Sequence, residues 1–445
     1  MKEIKNHIIA LMAAVLLAAC SNDSNELVPD TPEQAEEEKG LAMDLSASAP
    51  DFVNAAEPEE MARETLRGTS EAITRSWTPP SGYLLYSEFN DDHGNTYQNF
   101  ASNDLTRKSI NAFFTRATGD EPTPVAPEDP TYPRYANYPY HGRLSYKSST
   151  EKWQLTIRKV KPELVLPGDY YVYGFIPSAA ADDAVIERLP EPDGDFKNGA
   201  KLTIKGLRTA GYDACVTIGA KEGPDADHDN GLTAGDFKFD LKTGESVKNY
   251  LYLLFDHLSS ALSISIRVDG TYNTLRTIKL KQLALRTATD DGMVKEKVDA
   301  VVDLTANALG TNPITSLSIN GGLDPTDPAP PVGDGATVFQ TDDGLTLTPG
   351  YKSFLSHFLP ISGVTKVVVT CTYDIYDKNV TAEHPDGNLI RKDSKATNTI
   401  RLADIIPYFP GVQRGWKYGI NMTVVPTYLY MLSEPDLENP RMVVN

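Results

Sequence analysis

The sequence predicts an all-β protein, and three observations carry that prediction. Several segments alternate apolar and polar residues with the period of two that a half-buried strand requires. Turn signals containing proline and glycine separate them. Beyond residue 75, no long stretch holds a helical 3.6-residue repeat.

Trp153-Gln154-Leu155-Thr156-Ile157-Arg158 is the first clear case, followed by Leu262-Ser263-Ile264-Ser265-Ile266-Arg267-Val268. Thr277-Ile278-Lys279-Leu280-Lys281-Gln282-Leu283 and Tyr418-Gly419-Ile420-Asn421-Met422-Thr423-Val424 repeat the pattern. Each presents one apolar face to a core and one wet face to solvent. Pro167-Gly168-Asp169, Pro192-Asp193-Gly194-Asp195 and Pro385-Asp386-Gly387-Asn388 supply the angles that reversals need. Many short strands punctuated in this way favour sandwiches or Greek-key barrels. Residues 247–253 and 403–409 are expected to form single helical turns in crossover connections.

A chain of 445 residues exceeds one simple core and suggests two domains behind a leader. The polar stretch 240–248 reads as a linker, after which Tyr250-Leu251-Tyr252-Leu253-Leu254-Phe255 opens a new apolar run. The expected divisions are a leader over 1–19, an acidic tether over 20–67, a first domain over 68–246 and a second over 247–445. Residues 222–236 read as a loop of the first domain. The proline-rich 324–335 reads as a surface loop of the second.

The leader is informative. Lys2 and Lys5 precede an apolar run over 8–19, about a dozen residues, which suits a secretory h-region rather than the roughly twenty needed to cross a bilayer. Leu17-Ala18-Ala19-Cys20 resembles the lipobox of bacterial lipoproteins, so Cys20 is expected to become the first mature residue and to carry lipid. The formal charge of −19 argues against nucleic acid and anionic membrane surfaces as partners, leaving the attachment to acyl chains. Residues 21–62 hold twelve acidic residues against one lysine, with Phe52 the only aromatic, and read as a solvated segment. Arg63, Arg67 and Arg75 then break the acidic run in a strip where a trypsin-like protease would find its target.

Candidate chemistry is sparse. Cys215 and Cys371 both lie among β-branched or small apolar neighbours and read as buried strand residues, too few for a metal site built on several thiolates. Whether they form a bridge is left open by the sequence. The P-loop, nucleophile-elbow and H-E-x-x-H motifs are absent, and the histidines show no ligand spacing. His257 follows Asp256, and neighbours on a strand point to opposite faces, so a structural histidine is expected. Asp225-Ala226-Asp227-His228-Asp229-Asn230-Gly231 only partly resembles a calcium loop, since glycine falls one position late and Asp236 stands where a bidentate glutamate belongs. Tyr132, Tyr135, Tyr138, Tyr140 and Tyr146 are expected to pack a loop on the sandwich, with a sugar-stacking platform as the alternative.

Phe255-Asp256-His257-Leu258-Ser259-Ser260-Ala261-Leu262 and Tyr272-Asn273-Thr274-Leu275-Arg276-Thr277-Ile278-Lys279-Leu280 resemble the start of the second domain in the fimbrillin family of Bacteroidetes. Pro426-Thr427-Tyr428-Leu429-Tyr430-Met431-Leu432-Ser433-Glu434-Pro435-Asp436 is similar to that family's closing segment. The resemblance implies a type V pilus subunit with two transthyretin-like β-sandwich domains and no cofactor or catalysis. It would be exported as a lipoprotein precursor to the outer membrane, trimmed by an arginine-specific protease and built into an extracellular fimbrium supporting adhesion. Trimming would expose a groove that takes a strand from another pilin subunit. Arg67 and Arg75 are the better cleavage candidates, because each immediately precedes residues able to start a strand, and Arg63 is third. The apolar Met442-Val443-Val444 tail is expected to complete the chain's own sheet in preference to a neighbour's. The alternative function is a surface-tethered glycan-binding lipoprotein.

Overall fold

The computed structural model describes residues 41–48, 53–54, 109–116, 139–147, 152–158, 165–189, 196–222, 234–242, 249–307, 312–320, 323–324, 335–378, 380–385, 387–405, 411–424 and 442–444. Their elements are almost entirely strands, as the alternation predicts.

The largest sheet has eight strands in the order β10 (Lys238–Leu241), β6 (Gly168–Ile176), β3 (Ile110–Arg116), β4 (Tyr140–Lys147), β5 (Lys152–Ile157), β1 (Leu41–Ser48), β11 (Tyr250–His257) and β9 (Cys215–Glu222). It curls until β6 and β9 also meet, Phe175 opposite Val216 and Ile176 opposite Cys215. One face of the curl encloses its own core, in which Ile110, Phe114, Leu144, Leu155, Tyr170, Phe239 and Phe255 are buried.

The second sheet runs β19 (Lys352–Phe358), β12 (Ser260–Val268), β22 (Trp416–Val424) and β2 (Val53–Asn54), with β23 (Met442–Val444) also on β22. The third runs β17 (Leu323–Asp324), β14 (Met293–Val294), β13 (Arg276–Ala288), β20 (Lys366–Asp377) and β21 (Leu389–Arg401), with β18 (Ala336–Thr346) on β13. The fourth is β16 (Ile314–Asn320), β15 (Lys297–Thr305), β8 (Gly199–Arg208) and β7 (Asp183–Arg188).

Alternation explains which faces close together. Leu262, Ile264, Ile266 and Val268 of β12 are buried, as are Tyr418, Ile420 and Met422 of β22, and all share one apolar cluster with Val367, Val369 and Cys371 of β20. In β13 the strict period slips: the register with β20 shifts between Leu280 and Gln282, so that Leu280 and Leu283, three apart, are both buried in the same cluster. A bulge of this kind resets the side-chain phase by one residue.

Two expectations change at this level. Residues 250–253 are strand within β11 rather than a helical turn, and the period of two divides the run between two apolar clusters, Leu251, Leu253 and Phe255 in one and Leu254 in the other. The other expected turn is seen as helix α2 (Leu402–Ile405), preceded by a short α1 (Gly270–Leu275) whose N-cap Asp269 accepts from Tyr272 N at 3.0 Å. The acidic tether is not uniformly solvated, since β1 and β2 lie within it and pair with β5, β11 and β22.

The chain divides by contact density into residues 1–39 and 40–445. Residue 246 lies outside the described residues. On either side of it, β11 joins strands of the first half, and β15 and β16 join β7 and β8. Cys215 and Cys371 are both buried, unbridged thiols. The Met442–Val444 tail completes the chain's own β22, with Met422 opposite Val444 and Val424 opposite Met442.

Candidate functional site

Two features stand out: the place taken by β1, and a buried polar node where the chain passes from the first sheet to the second.

β1 bridges two strands that do not otherwise pair. Residues 41–43 run antiparallel to 153–155 of β5, and residues 44–48 run parallel to 250–254 of β11. The strand therefore closes a staggered gap in the curled sheet. Without it, both β5 and β11 would present backbone N–H and C=O groups along raw edges, an invitation to any extended chain. β2, five residues after β1, pairs with Trp416 and Lys417 at the start of β22.

The polar node forms where β11 ends and β12 begins. Asp213 lies two residues before Cys215, which opens β9, with its Oδ1 3.6 Å from the thiol, and the β9–β11 register puts His257 directly opposite Cys215. His257 Nδ1 lies 2.7 Å from Asp213 Oδ1 and 3.4 Å from Cys215 Sγ. Ser259 Oγ donates to the same Asp213 oxygen at 2.8 Å. Burial by itself would raise the Asp213 carboxyl, but the His257 cation and hydrogen bond, the nearby His357 and the Ser259 hydroxyl together hold it well below the usual carboxylate range.

Asp256 points elsewhere. Fully buried, it accepts from His257 N at 2.9 Å through Oδ1, and from Asn312 Nδ2 at 2.9 Å and an Arg414 guanidinium nitrogen at 2.6 Å through Oδ2. The same Arg414 nitrogen donates to His257 O at 3.2 Å. Leu258 N to Ala214 O, Gly415 N to Ser259 O and Ser260 Oγ to Gln413 O complete the stitching.

This geometry supports the structural role expected of His257, with Asp256 and His257 serving different partners. It does not build a nucleophile. Cys215 and Asp213 both approach Nδ1 of one ring, whereas a thiol–imidazole–carboxylate relay needs the two to use opposite nitrogens. The donor atoms of Asp213, Cys215 and His257 all lie within 4.8 Å of one another, a grouping able to hold a metal ion. Spacing in the sequence could not reveal it, because register brings residues 42 apart face to face.

The remaining sequence-based sites are placed as follows. Cys20, Arg63, Arg67 and Arg75 lie outside the described residues, as do Tyr132, Tyr135, Tyr138 and residues 225–231. Tyr140 is buried, its ring 5.8 Å from that of Tyr170 and its hydroxyl accepting from Leu166 N at 3.4 Å. Tyr140 is thus a packing residue of β4, and Tyr146 lies on the same strand opposite Trp153. Asp236 Oδ1 accepts from Lys238 N at 3.3 Å, a turn contact.

No family model matches the chain, and no curated protein does. Among solved structures, a candidate cell adhesion protein from Bacteroides uniformis is 10% identical, with 71% of this chain and 86% of that one covered at a TM-score of 0.31. The fimbrial anchor protein Mfa2 from Porphyromonas gingivalis is 10% identical over 76% of this chain and 86% of its own, at 0.20. The tip fimbrial protein Mfa3 from the same organism is 12% identical over 76% and 92%, also at 0.20. None of these three likenesses carries an argument about this chain.

Proposed function

We propose that the chain is a non-enzymatic subunit of a surface fimbria supporting adhesion, exported as a lipoprotein precursor held to the outer membrane through Cys20. An arginine-specific protease trims it at Arg67 or Arg75, and another pilin subunit then inserts a strand where β1 had been. One observation carries the reading: β1 lies on the N-terminal side of both arginines, yet its backbone pairs with β5 and β11 inside the main sheet.

A cut at either arginine turns β1 from part of the chain into a bound peptide. The three residues of β1 paired on one side and five on the other, with the two of β2 on β22, then hold the released segment. At a net gain of roughly 1 kcal/mol per hydrogen bond, that is little to set against the freedom the segment regains on leaving. The vacated edges then match an extended strand from a second subunit, and head-to-tail addition of that kind grows a filament instead of closing.

The test is cleavage of purified precursor with an arginine-specific protease, followed by electrophoresis without boiling. Ladders of stable oligomers that appear only after cleavage are the expected result. Complete trimming that leaves a monomer with β1 still bound would overturn the reading.

A further inference from the structure

We propose that Asp213, Cys215 and His257 form a zinc site that clamps the passage from the first sheet into the second. The three donors come from two neighbouring strand segments and converge on one small volume: Asp213 Oδ1, Cys215 Sγ and His257 Nδ1, separated by 2.7, 3.4 and 3.6 Å. Bonds of about 2.0–2.3 Å in a tetrahedral zinc site place neighbouring donors roughly 3.3–3.6 Å apart. Both edges involving sulfur already have that length. The nitrogen–oxygen edge is shorter, as it must be where a proton bridges the pair, and it needs to open by about half an ångström.

An aspartate, a thiolate and a neutral imidazole would together balance the charge of a dication, in a place where Cys215 is fully buried and His257 nearly so. A mixture of one sulfur, one nitrogen and one oxygen donor suits borderline-soft Zn²⁺ rather than calcium or magnesium, which prefer oxygen alone.

The surroundings fit a held site. The backbone of His257 is fixed from both sides, its N–H by Asp256 and its C=O by Arg414, so its ring cannot drift with the loop. Ser259 Oγ, 2.8 Å from Asp213 Oδ1, stands where it can support the carboxylate or approach a fourth position. Asp213 is the rim of the cluster, its side chain 18% exposed, and gives an ion a way in. Bound there, zinc would tie β9 and β11 of the first sheet to the turn that leads into β12.

The test is stoichiometric titration of the chelator-stripped, folded protein with Zn²⁺, and with Co²⁺ as a spectroscopic stand-in. One equivalent of zinc and the charge-transfer band of a cobalt–thiolate bond are expected. Cys215→Ser should abolish the band, and Asp213→Asn should weaken affinity at least tenfold. Cys371→Ser removes the distant thiol and should leave both signals intact, which guards against loss through misfolding. Absence of stoichiometric uptake by folded wild type, uptake without a thiolate band, or a band that depends on Cys371 would each overturn the proposal.

Discussion

Replacing Arg414 with methionine should be among the most damaging single changes away from the apolar core. The guanidinium lies 2.6 Å from Asp256 Oδ2, and Asp256 has no exposed surface. Its removal takes a contacting cation from a buried carboxylate, while the Asn312 amide and the His257 N–H stay in place. Breaking a buried ion pair from one side costs roughly 3–5 kcal/mol. Arg414 is itself about a quarter exposed, so water can follow the truncated side chain, and the expected loss is about 2–4 kcal/mol.

The assay is urea unfolding followed by circular dichroism at neutral pH. Asp256→Asn in the Arg414→Met background should recover part of the loss, because a neutral amide no longer demands a counter-charge. A double-mutant cycle should therefore show a coupling of at least about 1 kcal/mol. A loss under about 0.5 kcal/mol for Arg414→Met, or strict additivity in the cycle, would refute the view that this pair stitches the turn to the 412–416 segment.

Other outcomes follow from the same structure. Burial lowers the His141 ring to about 4, helped by Arg158 and opposed by Asp183. Because the unfolded chain takes up this proton first, the associated stability is complete above about pH 6.5 and drains away as pH falls toward 4. The loss is about 2 kcal/mol after allowance for screening at a half-buried ring, and His141→Gln should flatten that part of the stability–pH curve. Gly174→Ala would drive a methyl group into Asn111 O of the paired β3, a backbone atom that cannot swing aside, and should cost about 1–3 kcal/mol in thermal or urea unfolding. Burial pushes the Cys371 thiol up to about 12, so iodoacetamide at pH 8 should leave it unlabelled in native protein and label it in urea, as read by mass spectrometry.

The strands were legible where one face is wet. The alternating 153–158, 262–268 and 418–424 segments are β5, β12 and β22, because a half-buried strand writes its period into the sequence. The apolar run of β11 hid its structure, since Leu251, Leu253 and Phe255 enter one apolar cluster and Leu254 the other, so neither face needs to be polar. β1 is hidden in the sequence for a different reason. Leu41-Ala42-Met43-Asp44-Leu45 carries a short apolar period, but averaging over 42 residues with twelve carboxylates drowned it. The polar node was not legible because its members are joined by cross-strand register: 42 residues separate Cys215 from His257 and 158 separate Asp256 from Arg414. The Met442-Val443-Val444 tail pairs with the chain's own β22, as its apolar run in a polar context leads one to expect.

The central claim is that β1 belongs to the precursor and not to the assembled subunit. N-terminal sequencing of the protein recovered from surface fibres tests it most directly. The account predicts a first residue of Gly68 or Ser76, with no peptide from residues 41–48 in the washed fibre. A mature end still at lipidated Cys20, with β1 retained in polymerised material, would contradict it.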